Sequence, residues 1–410
     1  MMNLHASFKT LIIIVSLLWF NETRAQGSIT VSDLTQNNPL KMAMPILTIA
    51  PDARASAMGD VGVATAPSIN DQAWNCAKYV FNEYDMGVSF SYIPWMRNVG
   101  TTNINLLYLT GFYRFDEKQA FAASVRYFSL GNLEFRDGMG TLISSSNRPY
   151  EFAIDVSYSL RLGEYFSMGA AFRYLRSDLS GGAYVSEATP PISAANGAAA
   201  DIGFFYNQPI EGKGLFSNVS AGLSITNIGT KMSYAYDPTI DKSYFLPTIL
   251  RMGGGVEMEI SRNSTLAFSL ELSKYLVPTP PRYVKDDHGV VYVDGKPVIG
   301  AGMDDEVSVP MGMIQSFYDS PDGFAGELRE IMFGMGAEFN YADFFKIRTG
   351  FYSEPENAQH RYVTLGFGIV YSMFAIDLSY LIPTVSGLQS PLANTVHITL
   401  GVNIGQSNKY

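Results

Sequence analysis

The chain has 410 residues, 47% of them hydrophobic and only 16% charged, with a net charge of −10 at pH 7. The charged share is well below that of an ordinary soluble domain, and the negative balance excludes the basic footprint of a nucleic-acid binder. The single cysteine, Cys76, excludes an internal disulfide and reads as a small buried side chain.

The N-terminus has the pattern of an export signal. Lys9 supplies a positive start, Leu11 to Phe20 an apolar core, and Thr23-Arg24-Ala25 a cleavage site. Residues 1–25 are therefore expected to be removed, leaving Gln26 first, and no cysteine follows to accept a lipid. After residue 20 no run of 18 apolar residues occurs, so no transmembrane helix is available. An exported, apolar chain without a helical span fits an outer membrane. Residues 26–44 are polar and read as a periplasmic extension. Residues 45–83 are rich in Ala and Gly and lack period-2 alternation. They are expected to form short helices and turns, a hatch enclosed by the barrel that shields its backbone from lipid.

From Tyr84 the pattern changes to strands, and residues 84–410 read as the barrel. The clearest is Pro149 to Leu162. Tyr150, Phe152, Ile154, Val156, Tyr158 and Leu160 fall on one face; Glu151, Asp155, Ser157 and Arg161 fall on the other. Apolar groups on one face and charges of both signs on the other suit a barrel with lipid outside and polar material inside. Similar alternation occurs near 84–93, 101–115, 119–130, 149–162, 165–177, 196–207, 216–228, 247–260 and 264–276, then near 330–342, 344–353, 361–373, 374–382 and 393–405. The fold class is thus all-β, a 14-stranded antiparallel transmembrane barrel with both termini periplasmic. Short turns alternate with long loops along the chain, so the long loops face outside.

The longest insertion, 277–329, includes a hairpin around VVYVDGKPVI, an acidic Asp304-Asp305-Glu306 and the stretch PMGMIQSFYDSPDGFAGELRE. Met311, Met313, Phe317 and Tyr318 recur there at near-helical spacing. They are candidate contacts for a protein partner, against the plainer reading that they fold the loop onto the barrel.

Catalytic chemistry is not indicated. His5 lies in the signal, His288 and His360 in outer loops, and His397 on the lumen side of the last strand; none is spaced as a metal pair. No G-x-S-x-G elbow is present. Gly253-Gly254-Gly255 starts a strand and reads as close backbone approach or a bulge rather than a phosphate loop. No cofactor is indicated. Lumen-facing charges such as Arg126, Glu151, Asp155, Arg173, Asp201, Arg251, Glu271, Glu338, Arg348 and Asp377 carry both signs. Pairing with one another and with the hatch accounts for them better than an ion filter, which concentrates one sign.

The hatch carries a further signal. Asp52-Ala53-Arg54-Ala55, Met58-Gly59-Asp60, Gly62-Val63-Ala64-Thr65 and Trp74-Asn75 resemble the N-terminal signature of the PorV/PorQ family, outer-membrane proteins of the type IX secretion system of Bacteroidota. The resemblance runs from about Pro45 to the C-terminus, and the length, PDARA opening and large insertion favour the PorV branch. Cys76 departs from the family, which has proline there. The candidate hatch motif is Asp52, Arg54, Met58, Gly59, Asp60 and Asn75. The resemblance implies a FadL-like barrel without enzymatic activity. Its implied role is to receive cargo bearing a C-terminal signal domain from the SprA (Sov) translocon and pass it to the attachment complex of PorU, PorQ and PorZ. The competing reading is a FadL-like channel for a hydrophobic small molecule. Outer-membrane lipids surround the barrel in either case.

Overall fold

The computed structural model describes residues 39–95, 103–136, 142–181, 193–210, 215–234, 243–286, 289–355, 360–384 and 395–406. The expected signal peptide, most of the expected extension, His5 and His288 lie outside the described residues. Fourteen antiparallel strands close into a single barrel. They are β1 Tyr84–Pro94, β2 Ile104–Arg114, β3 Gln119–Leu130, β4 Tyr150–Arg161, β5 Phe166–Asp178, β6 Ala195–Pro209 and β7 Phe216–Gly229. The second half is β8 Ile249–Ser261, β9 Ser264–Tyr275, β10 Met332–Tyr341, β11 Phe345–Ser353, β12 Arg361–Tyr371, β13 Phe374–Pro383 and β14 Val396–Gln406. Each strand pairs with the next, and β14 returns to β1 with Met86 opposite Ile404 and Tyr92 opposite Ile398. These are the fourteen expected strands, with small shifts at their ends. Closure leaves no open edge, the condition for strands surrounded by lipid.

The alternation explains the wall. On β4, Ile154 and Val156 are exposed while Glu151, Asp155, Ser157 and Ser159 are buried toward the lumen. Near the short-turn rim the outward rings of Tyr113, Phe115, Phe121 and Tyr158 form a chain of contacts with centroids 4.8–5.2 Å apart. Such rings, apolar in body and polar at the tyrosine tip, suit a membrane–water boundary. Among the described residues no helix is long and apolar enough to cross a membrane.

The two rims differ as expected. One carries the connections 95–103, 131–149, 179–194, 230–248, 276–331, 354–360 and 384–395; the other carries 115–118, 162–165, 210–215, 262–263, 342–344 and 372–373. The long connections thus share one rim, as the loop parity in the sequence predicts.

Residues 39–82 occupy the lumen. Ala43 N–H donates to Phe245 O at 2.8 Å, and Met42 bridges to Phe245 in the long-rim connection 230–248. The chain then descends to Asn82 and turns into β1 at the short rim. Residues 39–44 lie at the long-loop rim, because Met44, Ile46 and Leu47 pack with Ile93, Ile104, Leu106, Phe128, Leu175 and Met232 at that end of the barrel.

Candidate functional site

The lumenal segment is built from short capped turns. Asp52 caps helix α1, Ala53–Ala57: its Oδ1 accepts the Ala55 N–H at 2.9 Å. Its other oxygen accepts the indole N–H of Trp74 at 2.9 Å, so one carboxylate joins two parts of the segment. The helix stops at Gly59, whose φ of +73° suits glycine, followed by Asp60 at +55°. Asp60 N–H returns to Ala55 O at 3.0 Å and Gly59 N–H to Ser56 O at 3.4 Å, a Schellman closure. Further on, Ser68 and Asp71 form a capping box, and Asn75 caps the 3₁₀ turn Cys76–Phe81 through the Ala77 N–H at 3.1 Å. Cys76 is the first residue of that turn, a position where proline is equally compatible.

This segment is tied to the wall over its full length. Glu151 accepts the Ile46 N–H at 3.3 Å and Arg126 donates to Ile46 O at 3.1 Å. Glu271 Oε2 accepts the N–H groups of Gly62 and Val63 at 2.8 and 2.9 Å. Arg54 donates to Glu338 at 3.2 and 3.3 Å, and Glu338 also pairs with Arg348, which reaches Asp377 at 2.6 Å. On the far side Arg173 joins Asp155 and Asp201. Arg54, Glu338, Arg348, Asp377, Arg173, Asp155 and Asp201 thus form mixed-sign pairs, while Glu151 and Arg126 bond to the segment's backbone. Where the backbones meet, the wall has no side chain: a methyl group at Gly350 would lie 2.1 Å from Gly59 N and Met58 C. Gly253 and Gly255 likewise face Val63 and Ala64 O, the close approach expected of the glycine run.

All six residues of the candidate hatch motif fall in this segment. Asp52, Gly59 and Asn75 shape its turns, Arg54 anchors to Glu338, and Met58 packs where Gly336 leaves room. Asp60 accepts from the Tyr362 hydroxyl. Two further residues escaped the sequence reading. Lys78 is fully buried, donating to Asp71 at 2.6 Å, Gly62 O at 2.9 Å and Thr65 Oγ1 at 3.1 Å. Its visible signal is a lysine in an otherwise small and apolar stretch. Glu271, read only as a lumen charge, serves as a double backbone anchor. His397 lies buried on the lumen side with Nδ1 3.0 Å from Ser56 Oγ, and its ring lies inside the packed lumen.

The second region is the outer connection 276–331. Three small hairpin pieces come first, including Tyr292–Val293 paired with Lys296–Pro297 around the left-handed Asp294-Gly295 turn. Two helices follow, α2 Val309–Gln315 and α3 Phe324–Arg329. Their burial is inverted relative to an ordinary amphipathic helix. Gly312, Gln315, Ser316 and Asp319 face inward, with Gly312 close to Phe245 and Pro278. Met311, Ile314, Phe317 and Tyr318 face outward, as do Phe324 and Leu328; Ile314 is 60% and Phe324 78% exposed. Of the four candidate contacts, Met311, Phe317 and Tyr318 are exposed and Met313 is half-buried. Phe324 and Leu328 were missed, since α3 follows a turn that breaks the periodicity; Ile314, on α2, shares the helical spacing of the four candidates without being one of them.

What holds this cap down is polar. Lys274, at the outer end of β9, donates to Glu327 at 3.0 Å and Glu330 at 2.5 Å. Thr279 donates its N–H to Asp319 Oδ2 at 3.0 Å and its hydroxyl to Glu330 Oε1 at 2.9 Å; Ser320 N–H reaches Glu327 Oε1 at 2.8 Å. Burial pushes the Asp319 carboxyl up to about 6. Asp322, on the exposed side, bridges Arg282 and Arg329, and the Arg282 hydrogen bonds hold its carboxyl below the usual range.

No curated protein sequence matches the chain. Among solved structures it is similar to the toluene transporter TbuX of Ralstonia pickettii, at 12% identity and a TM-score of 0.44, covering 88% of this chain and 98% of that one. It is similar also to the Pseudomonas putida toluene transporter TodX, at 11% identity, a TM-score of 0.45 and coverages of 85% and 95%. A Pseudomonas aeruginosa FadL homologue matches at 10% identity and a TM-score of 0.43, over 90% of this chain and all of that one. A family model for type IX secretion system protein PorV matches residues 32–282, more than half of the sequence. Together with a closed barrel whose outer wall is apolar, this match identifies the chain as a member of the PorV family, an outer-membrane component of type IX secretion.

Proposed function

We propose that this barrel is a non-catalytic shuttle of the type IX system. It receives cargo bearing the C-terminal signal domain from the SprA (Sov) translocon and delivers it to the PorU sortase with PorQ and PorZ. The carrying observation is the cap. Met311, Ile314, Phe317, Tyr318, Phe324 and Leu328 lie exposed on this long-rim loop, while small and polar groups face the barrel. Folding the loop down would use the apolar face inward. Its outward display supports a protein partner.

Residues 45–83 act in this reading as a fixed plug. Beneath the long loops, where a hydrophobic ligand would bind in the channel reading, the chain's own Met44, Ile46 and Leu47 are buried against Ile93, Leu106 and Leu175. That packing favours the shuttle over the channel. Deleting residues 300–326 in cells should abolish surface attachment of cargo while the barrel still folds, as read by its heat-dependent gel mobility. Unchanged attachment would refute the assignment of partner contact to the cap.

A further inference from the structure

The polar underside of the cap has an unbalanced charge. One oxygen from each of Asp319, Glu327 and Glu330 lies within 4.8 Å of the other two. Three carboxylates face a single ammonium, Lys274, inside a pocket from which solvent is largely excluded. The donors present are Lys274 Nζ, the N–H and hydroxyl of Thr279, and Ser320 N–H, and they reach five of the six carboxylate oxygens. The sixth, Asp319 Oδ1, is buried without a donor on a side chain that is 1% exposed. A buried carboxylate oxygen without a partner is costly. Three carboxylates against one ammonium leave the cluster, Asp319 included, with a net charge of −2, which calls for a cation rather than another neutral donor.

We propose that Asp319, Glu327 and Glu330 form a binding site for a hard divalent cation of the calcium type. Three carboxylates in irregular geometry suit calcium, which accepts flexible oxygen coordination; magnesium demands near-ideal octahedral geometry and retains its waters. The site faces the outside, where calcium reaches the millimolar concentrations that modest sites require. Its placement gives it a role. Asp319 follows α2 and accepts the Thr279 N–H, while Glu327, on α3, pairs with Lys274 at the end of β9. A bound cation joins the two helices to each other and to the barrel wall, fixing the apolar face in one orientation. The proposal concerns binding alone and stands whether or not that face receives cargo.

The test uses the full-length barrel in detergent, stripped with chelator and titrated with calcium chloride by calorimetry. One calcium per chain is expected, with a dissociation constant on the order of 10⁻⁴–10⁻³ M. Calcium should also slow proteolysis within residues 276–331. Asp319→Asn should weaken binding at least tenfold. Asp322→Asn, outside the pocket, should leave it unchanged. Lys274→Met removes the competing ammonium and should bind calcium at least as tightly as the parent. Absence of binding in both the parent and Lys274→Met would overturn the site, since Lys274 alone would then be its counter-ion. Binding undiminished in Asp319→Asn would overturn it equally.

Discussion

The lumenal segment and the outer cap are both irregular additions to the same barrel, and they use their residues in opposite ways. In the lumen, Met44, Ile46 and Tyr79 are buried, and backbone groups of Ile46, Gly62 and Val63 are bonded to wall carboxylates. Asp52, Arg54, Asn75 and Lys78 are likewise bonded inside the barrel. In the cap, Gly312, Gln315 and Asp319 face the barrel while Ile314, Phe317 and Phe324 face solvent. A segment that has engaged its polar and apolar groups with its own barrel is structural. A segment that keeps its apolar face outward has something left to bind.

The largest effect should come from the lumen. Glu338→Ala leaves Arg54 and Arg348 buried without their shared carboxylate, and losing one member of a buried ion network typically costs about 3–5 kcal/mol. A urea titration followed by gel mobility should show the folded barrel lost at lower denaturant. An unchanged midpoint would mean that the segment is not held by these pairs. Next, Gly350→Val places a side chain where Gly59 and Met58 backbone lie. Overpacking of this kind costs about 1–3 kcal/mol, with little relief available from rigid backbone. It should expose the lumenal segment to protease added from outside, and full protection would show that the close contact is dispensable. At the other extreme, Asp322→Asn at the exposed Arg282–Arg329 pair should change stability by less than about 1 kcal/mol. A larger loss would show that the cap is held by its surface pairs rather than by the buried Lys274 cluster.

The sequence carried the wall almost completely because lipid enforces alternation without exception. A single misplaced charge on Val156 or Phe172 would face hydrocarbon, so the register of β4 and β5 is written in every second residue. Loop parity followed from the same strands. The lumenal segment was legible as something enclosed, through its small residues, and its turns through Asp52, Gly59 and Asn75. Its direction was not. Nothing in the local pattern of Met42 to Leu47 specifies the rim at which they lie, because that depends on apolar groups from β1, β2, β3 and β5, distant in sequence. Lys78 and Glu271 were hidden for the same reason, their partners being set by tertiary contact. In the cap, the helical spacing of Met311 and Phe317 could be read. Which face pointed outward could not, since both docked and displayed helices have one apolar side.

If the outward apolar face of the cap holds partners, their recovery with the barrel depends on it. The barrel would be tagged, gently solubilised from its native outer membrane, and purified beside an Ile314→Asp/Phe317→Asp double variant. Both changes lie on the exposed face, so the variant should retain the parent's denaturation midpoint and gel mobility. Type IX partners or cargo bearing the C-terminal signal domain should accompany the parent and fall at least tenfold in the variant. Equal recovery from a folded variant would contradict that role and move the binding surface elsewhere on the barrel.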